Sequence, residues 1–238
     1  MPAGYCHYPN GKGRPENAGI AGLPAAYIIQ QMADFKSGAR KSLDPRMVPP
    51  NLMIDVALAA TDEEVQNAAE YFASLPWTSW VTVVEATDVP KTTVMGGMIV
   101  PAEGAEAGAE AGTEPLGRRI IEMPMDAERA EMLRDDAASF IAYVPVGSIE
   151  QGEALVTTGG GKTISCSVCH GANLEGAGSV PPLAGRSPSY TVRQLLDIQR
   201  GNRAGFGAGQ MAPVVADLTL DDMINIAAYT GSRVPDEQ

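Results

Sequence analysis

Apolar residues recur at helical spacing in two separated parts of the chain, and the stretch between them behaves differently. AAYIIQQMADFKSG (25–38) and SYTVRQLLDIQRG (189–201) each place apolar side chains three to four residues apart and stop at a glycine, the residue that most readily takes the left-handed turn ending a helix. Two further helices are predicted to open at Thr61-Asp-Glu-Glu64 and Thr219-Leu-Asp-Asp222. The first is a Thr-x-x-Glu capping box and the second a weaker version with aspartate. Another helix-forming stretch begins at Ser148-Ile-Glu-Gln-Gly-Glu. GKGRPENAGIAGLP and GANLEGAGSVPPLAG read as loops, as does GAGQMAPVV just before the last helix.

The middle of the chain carries short β-branched runs broken by proline and glycine. Strands are predicted in Trp77-Thr-Ser-Trp80-Val-Thr-Val-Val, Met98-Ile-Val-Pro, Arg119-Ile-Ile-Glu-Met and Ser139-Phe-Ile-Ala-Tyr-Val. Together they suggest a hairpin arm lying across both flanking parts. Residues 102–114 are low-complexity and acidic, a pattern expected of a solvated loop.

The flanking parts match each other. At an offset of 163 residues, Cys6-His7 falls on Cys169-His170, Asn10 on Asn173 and Gly13 on Gly176. Tyr27, Gln31, Asp34, Gly38 and Arg40 fall on Tyr190, Gln194, Asp197, Gly201 and Arg203. After five extra residues in the first copy the register resumes at an offset of 158, where Met53 meets Met211, Thr61 meets Thr219, and Asn67 and Tyr71 meet Asn225 and Tyr229. The chain contains an internal duplication.

Composition narrows the chemistry. The 238 residues are 45% hydrophobic and 19% charged, which suits one or two folded domains. The net charge of −12 argues against binding nucleic acid or anionic lipid, and no run of 18 apolar residues is present to span a membrane. Aromatics make up only 5%, so each copy is short of large core residues unless a cofactor supplies an apolar nucleus.

Only two histidines and three cysteines are present, and every cysteine lies within four residues of a histidine. Cys166-Ser-Val-Cys169-His170 is C-x-x-C-H, the attachment motif of c-type haem. Two thiols one helical turn apart reach two porphyrin vinyl groups, and the adjacent imidazole becomes the proximal iron ligand. A zinc site would need two more Cys or His ligands, which the second copy lacks. In the first copy Ala3 stands where the first cysteine belongs, so Ala3-Gly-Tyr-Cys6-His7 offers a single thioether from Cys6. With both histidines taken as proximal ligands, methionine is the remaining strong soft donor. Among eleven methionines, Met211 lies 41 residues after His170 and Met53 is its counterpart under the repeat. Met47 is the alternative in the first copy, but Met53 keeps the eight-residue distance to the capping threonine seen from Met211 to Thr219.

These motifs resemble those of the dihaem class I cytochrome c family of bacteria, two cytochrome c domains in tandem. The resemblance implies a mainly α fold of two helical haem domains, residues 1–76 and 148–238; it does not cover the β-rich connector that joins them, residues 77–147. It implies two covalent haem c groups, with His7 and Met53 as axial ligands of one iron and His170 and Met211 of the other. It also implies one-electron transfer between redox proteins, here ones with basic docking surfaces given the acidity of the chain, in the periplasm. Haem c is attached outside the bacterial cytoplasm, yet no signal region precedes Pro2 and the first copy lacks a helix matching 148–156. An N-terminally truncated sequence or a mis-assigned start is therefore expected. Two alternatives accompany the carrier reading: an electron-accepting cytochrome subunit of a periplasmic dehydrogenase docking through the connector, and a dihaem enzyme of the peroxidase or thiosulfate dehydrogenase type.

Overall fold

Two groups of helices flank a set of short strands in the computed structural model, which describes residues 3–102 and 112–235. The first group comprises α1 (Ala3–His7), α2 (Ala25–Ser37), α3 (Val48–Ala59) and α4 (Asp62–Ala73). The strands are β1 (Val81–Glu85), β2 (Asp88–Pro90), β3 (Thr92–Met95), β4 (Met98–Pro101), β5 (Thr113–Pro115), β6 (Ile121–Pro124) and β7 (Phe140–Val144). The second group comprises α5 (Ser148–Thr158), α6 (Ser167–His170), α7 (Pro188–Gln199), α8 (Phe206–Val215) and α9 (Leu220–Ser232). The fold is mainly α with small sheets.

Helix ends follow the sequence signals. α2 stops at Gly38, whose φ of 79° is left-handed. Both capping boxes close: the Thr61 and Thr219 hydroxyls accept from the backbone N–H of Glu64 and Asp222, and those carboxylates accept from the threonine N–H in return. The aspartate version therefore forms as completely as the glutamate one.

Two expectations need correction. Met211 does not lie in a loop: GAGQMAPVV belongs to α8, a helix with Pro213 inside it. Proline's fixed φ is helical, and burial of Ala208 and Val215 in the core holds the segment against its two glycines. The connector is also not a hairpin arm. β7 is central in a three-stranded sheet, parallel to β1 and antiparallel to β6, with Val81 opposite Phe140 and Ile121 opposite Tyr143. β2 pairs with β5 and β3 with β4, both antiparallel. Most of the acidic stretch, residues 103–111, lies outside the described residues.

The cores explain how the groups hold together. The second group surrounds a cluster containing Leu155, Cys166, Leu174, Leu195, Met223 and Tyr229, with Met211 packed against it. A separate cluster joins Trp77, Trp80 and Phe140 of the connector to Ala21 of the first group. The connector reaches the second group through polar bonds. Trp77 Nε1 donates to the Ala184 carbonyl at 2.9 Å. The Ile149 N–H at the start of α5 donates to Glu85 at 2.8 Å.

The duplication reappears as near two-fold symmetry where the helix groups meet. Arg40 and Arg203 form an antiparallel backbone bridge. Lys41 N–H donates to the Asn202 carbonyl at 2.8 Å, and Ala204 N–H donates to the Ala39 carbonyl at 2.7 Å. The side chains repeat the exchange. Arg40 donates to the Tyr190 hydroxyl and to Gln31 and Gln194, while Arg203 donates to the Tyr27 hydroxyl and to the same two glutamines.

Candidate haem sites

Each candidate proximal histidine sits at the end of a short helical turn, α1 or α6, and is almost fully buried: His7 is 7% and His170 6% exposed. The local bonds of the two copies superpose. His7 Nδ1 lies 2.8 Å from the Ala18 carbonyl and His170 Nδ1 2.8 Å from the Pro181 carbonyl, eleven residues on in both cases. A carbonyl only accepts, so Nδ1 carries the proton and Nε2 keeps its lone pair for a metal. Gly13 N–H donates to the His7 carbonyl at 2.9 Å, and Gly176 N–H to the His170 carbonyl at 2.7 Å. Burial holds both imidazoles below their ordinary pKa, with the Arg40 charge adding to the effect at His7. Both are therefore neutral at pH 7, the form that binds iron.

The cysteines follow from the same turns. Cys166 caps α6 and is buried in the second-group core, and Cys169 one turn later is exposed. Burial pushes the Cys166 thiol up to about 11. Cys6 on α1 is half-buried, with its carbonyl accepting from Asn17 Nδ2 at 3.0 Å.

Met211 is the sixth residue of α8, half-buried against the cluster that contains Cys166. Met53 is the sixth residue of α3, which packs on α2 as α8 packs on α7. Met47 caps α3, at the position Gly205 takes before α8. Both Met47 and Met53 are half-buried, so exposure does not separate them; Met53 has the same place in its helix as Met211. The structure brings Cys166 and Met211 together in one core; in the first copy His7 lies edge-on to Phe72 at 6.5 Å between ring centroids.

The donor set suits haem c. Thiols, a neutral imidazole with free Nε2 and a thioether are the ligands that group uses. Arg203 is 9% exposed, its Nε has no hydrogen-bond partner among the described residues, and it lies in no ion pair there. A buried guanidinium short of an acceptor fits a site that receives an anionic cofactor.

The polar network of Tyr27, Gln31, Arg40 and their copies was not read as a site from the sequence. Its signal was present: polar residues identical at the 163-residue offset, in and just after helices whose other positions vary.

Comparison with known proteins agrees with this chemistry. The cytochrome c family model matches residues 149–232. Cytochrome c4 of Stutzerimonas stutzeri is 32% identical over 140 residues, covering 52% of this chain and 66% of that protein. Cytochrome c-554(547) of Halothiobacillus neapolitanus is 36% identical over 80 residues, 29% of this chain and 88% of its own length. The thiosulfate dehydrogenase electron acceptor of Stutzerimonas stutzeri is 24% identical over 211 residues, 88% of this chain and 68% of that protein. Among solved structures, the thiosulfate dehydrogenase (TsdBA) of Marichromatium purpuratum aligns over 98% of this chain and 36% of its own, at 23% identity and a TM-score of 0.61. Reduced cytochrome c4 of Pseudomonas stutzeri aligns over 97% of this chain and 93% of its own, at 20% identity and a TM-score of 0.60. With the C-x-x-C-H turn, the buried histidine and these relatives taken together, the chain belongs to the cytochrome c family.

Proposed function

We propose that this protein is a periplasmic dihaem cytochrome that passes single electrons between redox proteins. The observation that carries the reading is the duplicated ligand geometry: each histidine fixed through Nδ1 to a carbonyl eleven residues on, and a methionine sixth in the helix before the last one of each copy. Residues 1–76 and 148–238 form the two haem domains and 77–147 the connector. Cys166 and Cys169 hold one haem through two thioethers, and Cys6 alone, in its A-x-x-C-H setting, holds the other. His170 with Met211 and His7 with Met53 are the axial pairs. Bound haem supplies the one-electron iron couple, and two strong axial ligands favour electron transfer over substrate binding.

The chain's own residues prepare that couple. The carbonyls of Ala18 and Pro181 fix imidazole orientation and tautomer. The buried second-group core keeps water from the histidine side. The mutual Arg40–Arg203 contacts hold the two domains in one fixed relation.

A more specific version has the protein as the electron-accepting partner of a dehydrogenase. The match over 88% of the chain to a thiosulfate dehydrogenase electron acceptor, connector included, favours it. Expression with a full maturation system followed by intact mass and pyridine haemochrome tests the reading. Two haems are expected, with the single-thioether haem red-shifted. Met211→Ala and Met53→Ala are each expected to abolish the methionine-to-iron charge-transfer band of one oxidised haem; loss on Met47→Ala instead of Met53→Ala refutes the ligand assignment. Co-purification with a dehydrogenase separates the subunit from the free carrier.

A further inference from the structure

The connector does more than join the halves: residues 126–136, which include a π-helical turn at Glu128–Met132, close over the first attachment segment. Tyr8 is 3% exposed and its hydroxyl donates to the Ala130 carbonyl at 3.1 Å. Asn10 Nδ2 donates to the Asp136 carbonyl at 2.6 Å, and Arg14 pairs with Glu131. Arg134 donates to the Tyr5 carbonyl, its guanidinium 4.3 Å from the Tyr5 ring centroid and 5.4 Å from that of Tyr8. These residues bracket Cys6 and His7 on both sides.

Two residues of this contact take a left-handed backbone. Tyr8 has a φ of 60° and Arg134 a φ of 50°, a left-handed region that costs any residue with a Cβ. At the position equivalent to Tyr8 the second copy has Gly171, with a φ of 88°. Glycine takes this conformation freely, so the first copy accepts backbone strain to keep a tyrosine side chain there. In the second copy Val168, the counterpart of Tyr5, is 73% exposed against 53% for Tyr5. The copy that residues 126–136 contact is the one whose motif has alanine in place of a cysteine.

We propose that residues 126–136 are a non-covalent clamp replacing the missing second thioether, with Tyr8 and Arg134 as the positioning residues that hold the Cys6-His7 turn against the first haem. The inference rests on the two-haem reading above. The clamp removes motion of the turn that a second sulfur–carbon bond would otherwise remove, and so keeps the His7 imidazole in place.

The test uses the mature dihaem protein. Haems are first counted by intact mass, then amide hydrogen exchange is compared for peptides covering 3–14 and 166–177. Arg134→Ala and Tyr8→Gly are each expected to speed exchange in 3–14 by about tenfold or more and to leave 166–177 unchanged. Tyr8→Phe, which keeps the ring under Arg134 but loses the Ala130 bond, is expected to fall between. Ala3→Cys added to Arg134→Ala is expected to restore protection by supplying the second thioether, with no mass change beyond the substitution. Unchanged or slower exchange in Tyr8→Gly overturns the clamp, because relief of strain then outweighs the contact. Failure of Ala3→Cys to restore protection overturns the substitution for a thioether. A single haem per chain overturns the two-haem reading and the clamp with it.

Discussion

Removing the Arg186 side chain is expected to destabilise the protein by about 4 kcal/mol, even though it removes a buried charge. Arg186 is 6% exposed and donates to three backbone carbonyls: Pro182 at 3.0 Å in its own segment, and Gly19 at 2.6 Å and Ala21 at 3.1 Å in the first helix group. Its guanidinium also stacks 4.0 Å from the Trp77 ring centroid. Hydrogen bonds from a charged donor contribute about 1.5–3 kcal/mol each, so the three together contribute about 6–7, and the stacking adds about 1. Against this stands desolvation, which pushes the guanidinium down to about 10 from its ordinary 12.5. At about 1.4 kcal/mol per pKa unit, relief of that burial returns about 3–4 kcal/mol. The bonds win, because Arg186→Ala leaves two buried carbonyls and one part-buried carbonyl without this donor. For a chain of this size 1 kcal/mol moves Tm by about 2–4 °C, so Tm should fall by about 10 °C. Guanidinium titration and thermal melts followed by far-ultraviolet circular dichroism give both quantities. Arg186→Lys should lose at least half as much, since a point charge cannot fork between Gly19 and Ala21 while covering the tryptophan. A loss under about 1 kcal/mol for Arg186→Ala would show that the desolvation penalty governs this site and refute the reasoning.

Glu122 is 4% exposed on β6, with one carboxylate oxygen accepting from the Ser187 and Ser189 hydroxyls and the Ser189 N–H and the other oxygen without a hydrogen-bond partner among the described residues. Burial pushes its pKa above the ordinary 4.5, so the folded state keeps this proton to a higher pH than the unfolded one. Its penalty is absent below that value and grows as pH rises through the folded pKa; the stability of wild type relative to Glu122→Gln should fall over that window, and a pH-independent difference in denaturation midpoints would contradict the assignment. Thr219→Ala removes the cap of the fully packed α9 and should lower stability by about 1–2 kcal/mol, and Thr61→Ala on exposed α4 less; equal losses in urea titrations would show that burial of the helix does not matter. Charge predicts kinetics as well: with a net charge of −12, the electron-transfer rate with a cationic acceptor should drop steeply as the Debye length shrinks from about 30 Å at 0.01 M salt to about 10 Å at 0.1 M. Stopped-flow rates flat across that range would point to docking through an uncharged patch.

The parts legible in the sequence are those written in local periodicity or in repetition. The glycine stop of α2, both threonine caps and the four longest β-branched runs all appear where the pattern puts them. β2, β3 and β5 were not foreseen, because runs of three or four residues, two of them ending in proline, carry almost no periodic signal. The parallel pairing of β1 with β7 joins residues 59 positions apart, Val81 with Phe140, and no local rule encodes such a partner. α8 was hidden by its glycines and Pro213, whose poor propensity is overridden by packing. The ligand residues were legible as rare residue types at fixed spacing, whereas the Nδ1 bonds to Ala18 and Pro181 depend on loop closure and emerge only from the fold.

The contact around Arg40 and Arg203 is, in effect, an isologous dimer interface joined by a covalent tether. Each half presents the same tyrosine, glutamine and arginine to the other, and each arginine crosses to its opposite number. Surfaces of this kind are self-complementary. A half severed from its sibling therefore keeps this network with which to recognise a second copy of itself, and tethering raises the local concentration of the proper mate. It also doubles the reach of single substitutions: Gln31 accepts from both arginines, so one change there loosens the hold of the first half on the second and of the second on the first.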